Sequence, residues 1–278
     1  MNTVMRIRIK AFLCAVLAGL WVLNLSGAGL AATKPKKVNP DAAAPASVLF
    51  IGNSFFYYNN SMHNVFNRII RSLDKNNKIR STSVTISGSG MSWHNVDAYF
   101  NPEGVGSYSF VGDNEVVFND PKRKLFDVAM MMDCSQCPVH PTLSPVFFEY
   151  AKKHSDSIRK HGAEPVLFMS WAYSDKPEMT EGLAEAYTKA GNDNNMLVIP
   201  AGLAFAESVK QRPGLNLYEP DKRHPSKPGT YLGACVAYAA LFKKSPEGAE
   251  YAFDLDKDTA AFLQKISWET VKKYYGWK

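Results

Sequence analysis

An α/β domain with a mainly parallel sheet between two helical layers is what this 278-residue chain predicts. Three observations point there. Apolar runs of strand length recur along the chain, helix-length segments lie between them, and the two alternate with few exceptions. Strands that are apolar throughout belong in a sheet covered on both faces, which is the habit of parallel sheets. With 46% apolar and 21% charged residues, the chain can build a sizeable core and is not globally disordered. Its length suits one or two domains.

The elements follow in order. SVLFIG (47–52) reads as a buried strand. MHNVFNRIIRSL (62–73) carries Val65, Ile69, Ile70 and Leu73 at helical spacing. KIRSTSVTIS (78–87) alternates and is β-branched, a strand pattern. Residues 101–125 fit no repeating unit and read as an insertion or a hairpin. FDVAMMMD (126–133) is an apolar strand, and the run Met130–Met132 belongs to its core. A helix over 145–162 closes on Gly162, a residue suited to a left-handed cap. EPVLFMSW (164–171) and NMLVIPA (195–201) are strands on either side of a helix over 182–191. Helices over 203–212, 229–242 and 258–276 complete the chain, with no internal repeat and no second linker.

The N-terminus stands apart. Arg6, Arg8 and Lys10 precede the apolar run AFLCAVLAGLWVLNL and the small residues SGAGLAA. A basic, then apolar, then small-residue order describes a secretory signal peptide over 1–31, with cleavage expected after Ala31 or Ala32. The apolar run is short for a membrane span of about 20 residues, so no stable anchor is expected after cleavage. Residues 32–46, rich in Pro, Ala and Lys, read as a flexible linker, and the folded domain is expected over 47–278. Removing three positive charges from the net +6 leaves a mature chain near +3. Without a basic stripe interleaved with aromatics, nucleic acid is not an expected partner. Localisation is expected to be periplasmic or extracellular in a bacterium.

Chemistry concentrates where strands end. VLFIGNSFFYYNN (48–60) drives a buried run into Gly52, Asn53 and Ser54. Ligands of open parallel sheets sit beyond the carboxyl ends of the strands. A glycine at 52 would let the chain turn sharply there, leaving Ser54 at the sheet rim. A hydroxyl is a weak nucleophile until a base takes its proton. Of six histidines, His63 and His94 are placed to approach the same edge, while His140, His154 and His161 read as solvated surface residues. His224 differs. It lies in EPDKRHPSKPGTYL (219–232), three residues after Asp221 and before Pro225. A D-x-x-H step on a Pro-flanked loop lets the carboxylate accept from one ring nitrogen and leaves the other as a base. The same Asp is equally suited to cap the helix that follows.

GNSF after the first strand, together with Asp221, His224, Pro225, Ser226, Gly229, Tyr231 and Leu232 in a D-x-x-H-P-S-x-x-G-x-Y-L block, resembles the SGNH (GDSL-like) hydrolase superfamily, in a secreted bacterial branch. The resemblance spans 47–278 and is most specific in the C-terminal block. It implies a three-layer α/β/α, flavodoxin-like fold and hydrolysis of esters, acyl groups on carbohydrates or lipids among them, without a cofactor or metal. It assigns Ser54 as nucleophile, His224 as general base and acid, and Asp221 as the orienting acid. It places the oxyanion hole at the backbone N–H of Ser54 and of Gly88, with Gly90 as the alternative glycine. The family's third block carries a side-chain amide where this chain aligns Met132, which cannot donate. Gln136, or Ser135, is the nearby substitute. A non-catalytic carbohydrate- or lipid-binding protein on the same fold is the alternative.

Two further readings concern the same edge. Cys134 and Cys137 form C-S-Q-C, and Cys235 is left over. The pair reads as a structural disulfide or plain thiols, as a thiol oxidoreductase site, or less well as part of a metal site, there being no second C-x-x-C. Phe55, beside Ser54, is a candidate for a sugar- or acyl-binding wall with Phe56, Tyr57 and Tyr58, and Trp171, after the fourth strand, for lining a pocket; the bland readings are that the four rings close the top of the helix and that Trp171 packs under a loop.

Overall fold

In a computed structural model of the chain, the described residues are 33–41, 44–101, 104–105, 108–118, 120 and 124–278. The expected signal peptide lies outside them. The elements in chain order are β1 (Ser47–Gly52), α1 (Ser54–Tyr57), α2 (Met62–Leu73), β2 (Arg80–Thr85), α3 (Val96–Tyr99), β3 (Tyr108–Gly112), β4 (Glu115–Phe118), β5 (Val128–Met131), α4 (Ser144–Lys160), β6 (Glu164–Phe168), α5 (Met179–Asp193), β7 (Leu197–Ile199), α6 (Ala201–Gln211), α7 (Lys227–Phe242) and α8 (Lys257–Tyr275).

The main sheet has the order β2-β1-β5-β6-β7, and every pairing in it is parallel. Counting its strands alone, this is the flavodoxin-like order, whose topological switch point lies between the first strand and the third. Here that crevice falls between β1 and β5. Alternation along the strands divides the core in two. Val48 and Phe50 of β1, with Val128, Met130 and Met132, meet α2, α6, α7 and α8 on one face. Leu49 and Ile51, with Ala129 and Met131, meet α4 and α5 on the other. Burial of every residue of β1, β5, β6 and β7 is why those runs read as apolar without a break.

Differences from the sequence expectation sit at element ends. The second strand is shorter than 78–87 because Asn77 and the turn at Ser87–Gly88 take up its ends. The helix expected to stop at Gly191 runs on to Asp193. An added Cβ at Gly191 would lie 2.4 Å from Cγ2 of Val198, so this glycine permits close packing on β7 and does not end the helix. Gly162 does take the left-handed conformation expected of it, at φ 75°. Within 101–125, β3 and β4 form an antiparallel hairpin, as the lack of a β/α unit there implies.

The stretch expected to be a flexible linker is instead laid along the domain. Thr33 Oγ1 donates to Glu185 at 2.5 Å, Lys36 N–H donates to Asn192 Oδ1 at 2.7 Å, and Trp277 Nε1 donates to Val38 O at 2.9 Å. Lys37 reaches Glu164 at 2.9 Å, with both side chains nearly buried. Composition missed this because the partners lie more than a hundred residues away.

Candidate active site

Asn53 and not Gly52 turns the chain at the end of β1. Gly52 has no positive φ; its missing side chain makes room for Phe56, whose Cδ2 would lie 2.8 Å from an added Cβ. Asn53 adopts an extended conformation and its Oδ1 accepts the N–H of Phe55 at 3.1 Å, capping α1. Ser54 is therefore the first residue of a helix, and its N–H is among the donors that a helix leaves without an internal partner. The side chain of Ser54 is at the rim but largely covered, 8% of the residue being exposed.

The loop 217–226 brings the far end of the chain to this point. Glu219 N–H donates to His224 O at 2.8 Å and Ser226 N–H to Leu217 O at 2.9 Å, closing the loop on itself. Asp221 Oδ1 accepts the N–H groups of Arg223 and His224, both at 3.0 Å, while Oδ2 receives Nδ1 of the His224 ring. One carboxylate thus folds the loop and orients the imidazole. The cap of α7 is a different residue, Ser226. Partial burial alone would raise the Asp221 pKa, but hydrogen bonds from the His224 ring and the two N–H groups outweigh it and hold the carboxyl at about 2. Nε2 of His224 lies 2.7 Å from Oγ of Ser54. Since Nδ1 donates to the carboxylate, Nε2 of the neutral ring is the acceptor for the serine hydroxyl.

Both sides of the imidazole are packed. Tyr58 stacks on it, with ring centroids 4.1 Å apart and planes 7° from parallel, and Phe55 meets it edge-on at 5.3 Å. Behind Phe55, Trp171 and Phe205 continue a stack at 4.8 and 4.1 Å. Phe55 and Trp171 are 4% and 0% exposed, so the wall of substrate contacts expected from them does not exist. They are core residues that back the histidine, and Trp171 Nε1 donates to Arg223 O at 2.9 Å. The exposed rings on the segments flanking Ser54 are Tyr57 and Trp93.

The loop after β2 runs beside Ser54. Gly88 occupies an exposed turn at φ 71°, a conformation that favours glycine. Asn53 Nδ2 donates to Ser89 O at 2.9 Å and to Asp133 O at 3.1 Å, and Asp133 Oδ1 accepts the Met91 N–H at 2.7 Å. Burial raises the pKa of this carboxyl, and the N–H groups of Met91 and Cys134 oppose that. Gly90 has little room, since an added Cβ would sit 2.8 Å from Asp133 Oδ1. In the third block Met132 is fully buried in the core. Gln136 is exposed, and Ser135 Oγ pairs with Tyr173 OH at 2.7 Å. Cys134 and Cys137 are joined by a disulfide and Cys235 is a free, buried thiol.

The other histidines are structural. His94, buried, donates from Nε2 to Gly52 O at 3.1 Å and accepts from Tyr99 OH at Nδ1, and burial lowers its pKa to about 4. His63 pairs with Ser61 Oγ at 2.6 Å. His154, expected at the surface, is buried with Nε2 donating to Met91 O at 2.8 Å; helix α4 turns it inward. His140 and His161 are half-buried.

No protein-family model matches the sequence, and none of the curated proteins does. Solved structures do match. A DUF4886 family protein from Bacteroides uniformis is similar over 84% of this chain and 96% of its own, at 17% identity and a TM-score of 0.56. The psychrotrophic esterase EstA from a Pseudoalteromonas species is similar over 71% of this chain and 97% of its own, at 11% identity and 0.51. A protein from Slackia heliotrinireducens assigned to the SGNH hydrolases matches over 70% and 97%, at 20% and 0.50. With the strand order and layers above, these similarities establish that the chain has the fold of the SGNH hydrolases.

Proposed function

We propose that the protein is an exported serine esterase of SGNH type. The observation that carries this reading is the 2.7 Å approach of Ser54 Oγ to Nε2 of His224, whose other ring nitrogen meets Asp221. Ser54 attacks the ester carbonyl while Nε2 takes its proton. The Ser54 and Gly88 N–H groups stabilise the oxyanion, and Gln136 is the side chain with freedom to add a third donor where Met132 has none. His224 returns the proton to the leaving alcohol, water deprotonated by the same nitrogen attacks the acyl-enzyme, and Ser54 is restored. The substrate class is an acyl ester of a carbohydrate or a small alcohol. Export is supported by the charge and hydropathy order of residues 1–31 and by the Cys134–Cys137 disulfide, which suits an oxidising compartment.

Ser54→Ala should lower p-nitrophenyl acetate turnover by at least about 10³-fold while leaving the circular dichroism spectrum unchanged. Labelling by a fluorophosphonate should occur at Ser54 in the wild type and vanish in the variant. Turnover equal to wild type in Ser54→Ala would refute the assignment, and a folded wild type that neither labels nor turns over esters would favour a binding protein on this fold.

A further inference from the structure

Ser54 and Tyr58 are one helical turn apart, and the Tyr58 N–H donates to Ser54 O at 3.1 Å. Residues four apart on a helix share a face. α1 and the residue that caps its C-terminus, Tyr58, therefore offer a hydroxyl to Nε2 of His224 and a phenol ring to the face of that imidazole. The next residue strengthens the link: Asn59 Nδ2 donates at 2.6 Å to the carbonyl of Pro225, which directly follows His224, and at 3.0 Å to Thr230 Oγ1. Asn59, Asn60 and Ser61 all adopt positive φ, at 53°, 63° and 66°, a conformation that costs energy in residues other than glycine and persists where surrounding contacts impose it.

The geometry points to Tyr58 as the positioning residue of the catalytic base, and we propose that it acts in two ways. Ring-on-ring contact at 4.1 Å blocks rotation of the imidazole out of the line from Asp221 to Ser54, a motion that the edge contact of Phe55 blocks from another direction. The face of a phenol ring carries negative charge density, so it attracts the imidazolium that forms when His224 takes the serine proton more than it attracts the neutral ring. That gain arises in the transition state and should appear in kcat with little change in KM. The hydroxyl of Tyr58 has no part in either effect. This role rests on the esterase reading and adds to it a residue outside the triad and the oxyanion hole.

The test compares Tyr58→Phe and Tyr58→Leu with wild type by fluorophosphonate labelling of Ser54, by kcat and KM on p-nitrophenyl acetate, by thermal melting, and by the NMR shift of the His224 ring protons. The expected result is a labelling rate and kcat about tenfold lower in Tyr58→Leu with KM within about twofold, rescue by Tyr58→Phe, equal melting of all three, and upfield His224 ring protons in every protein except Tyr58→Leu. Wild-type rates in Tyr58→Leu, or an equal loss in Tyr58→Phe, would overturn the role. Ring protons without an upfield shift in wild type would overturn the stack itself, whatever the activity. Failure of the wild type to label at Ser54 would instead sink the esterase reading on which the role depends.

Discussion

At the scale of single residues, Asp221 does two jobs with two oxygens, and its ionisation records both. One oxygen accepts the N–H groups of Arg223 and His224, the other the His224 ring, and together they hold the pKa at about 2 against an ordinary value of about 3.9. A carboxyl depressed in the folded state contributes stability above its unfolded pKa and loses that contribution as pH falls through the folded one. The contribution is therefore complete above about pH 4 and fades toward pH 2. Carbon NMR of the labelled Asp221 carboxyl should titrate with a midpoint near 2 in wild type and move up toward the ordinary value in His224→Ala. A wild-type midpoint near 4 would mean that the loop does not hold its hydrogen bonds in solution. At this scale Ser54, His224 and Asp221 could be singled out as candidates in the sequence, because GNSF and the D-x-x-H-P block together resemble a family motif although each alone is weak. The packing of Tyr58 on His224 was not legible there, since an aromatic four residues from a serine says nothing of a ring 166 positions further on.

Among the elements, the N-terminal strap is held by several hydrogen bonds and by one nearly buried ion pair. Lys37 is tucked against Glu164 at 2.9 Å and Asp41 at 2.7 Å, and the Asp41 N–H donates to Glu164 Oε2 at 2.9 Å. Breaking a nearly buried ion pair by removing one member costs about 3 kcal/mol. Lys37→Met should lower the melting temperature by about 6–12 °C for a domain of this size. An unchanged melting temperature would show that the strap is not docked. Helices and strands were largely legible from periodicity, because α2 and the buried strands each carry their own pattern. The strap has no pattern of its own, so its composition alone read as a linker.

For the whole molecule, three histidines are packed where a charge is unwelcome. Burial lowers the pKa of His63, His94 and His154, that of His94 to about 4. Below its ordinary pKa of about 6.5 each binds a proton more readily in the unfolded chain, so stability falls as pH drops through the window from about 6.5 toward 4. Urea unfolding midpoints should decline steadily between pH 7 and pH 5, and His94→Gln, which keeps an amide donor for Gly52 O, should flatten that slope. A midpoint constant over this range would contradict the burial of these rings.

The order of apolar runs and helical segments, by itself, determined the doubly wound sheet, because burial on both faces leaves an unbroken apolar signature in each strand. It also determined that Ser54 lies just past the end of a strand and that Asp221 and His224 share a loop, since both follow from short-range spacing. Only the tertiary structure decided that Phe55 and Trp171 lie in the core, that Asn53 makes the turn that Gly52 was expected to make, and that Tyr58 covers the histidine. Each of those depends on what fills the space next to a side chain, and the neighbours that fill it come from distant parts of the chain.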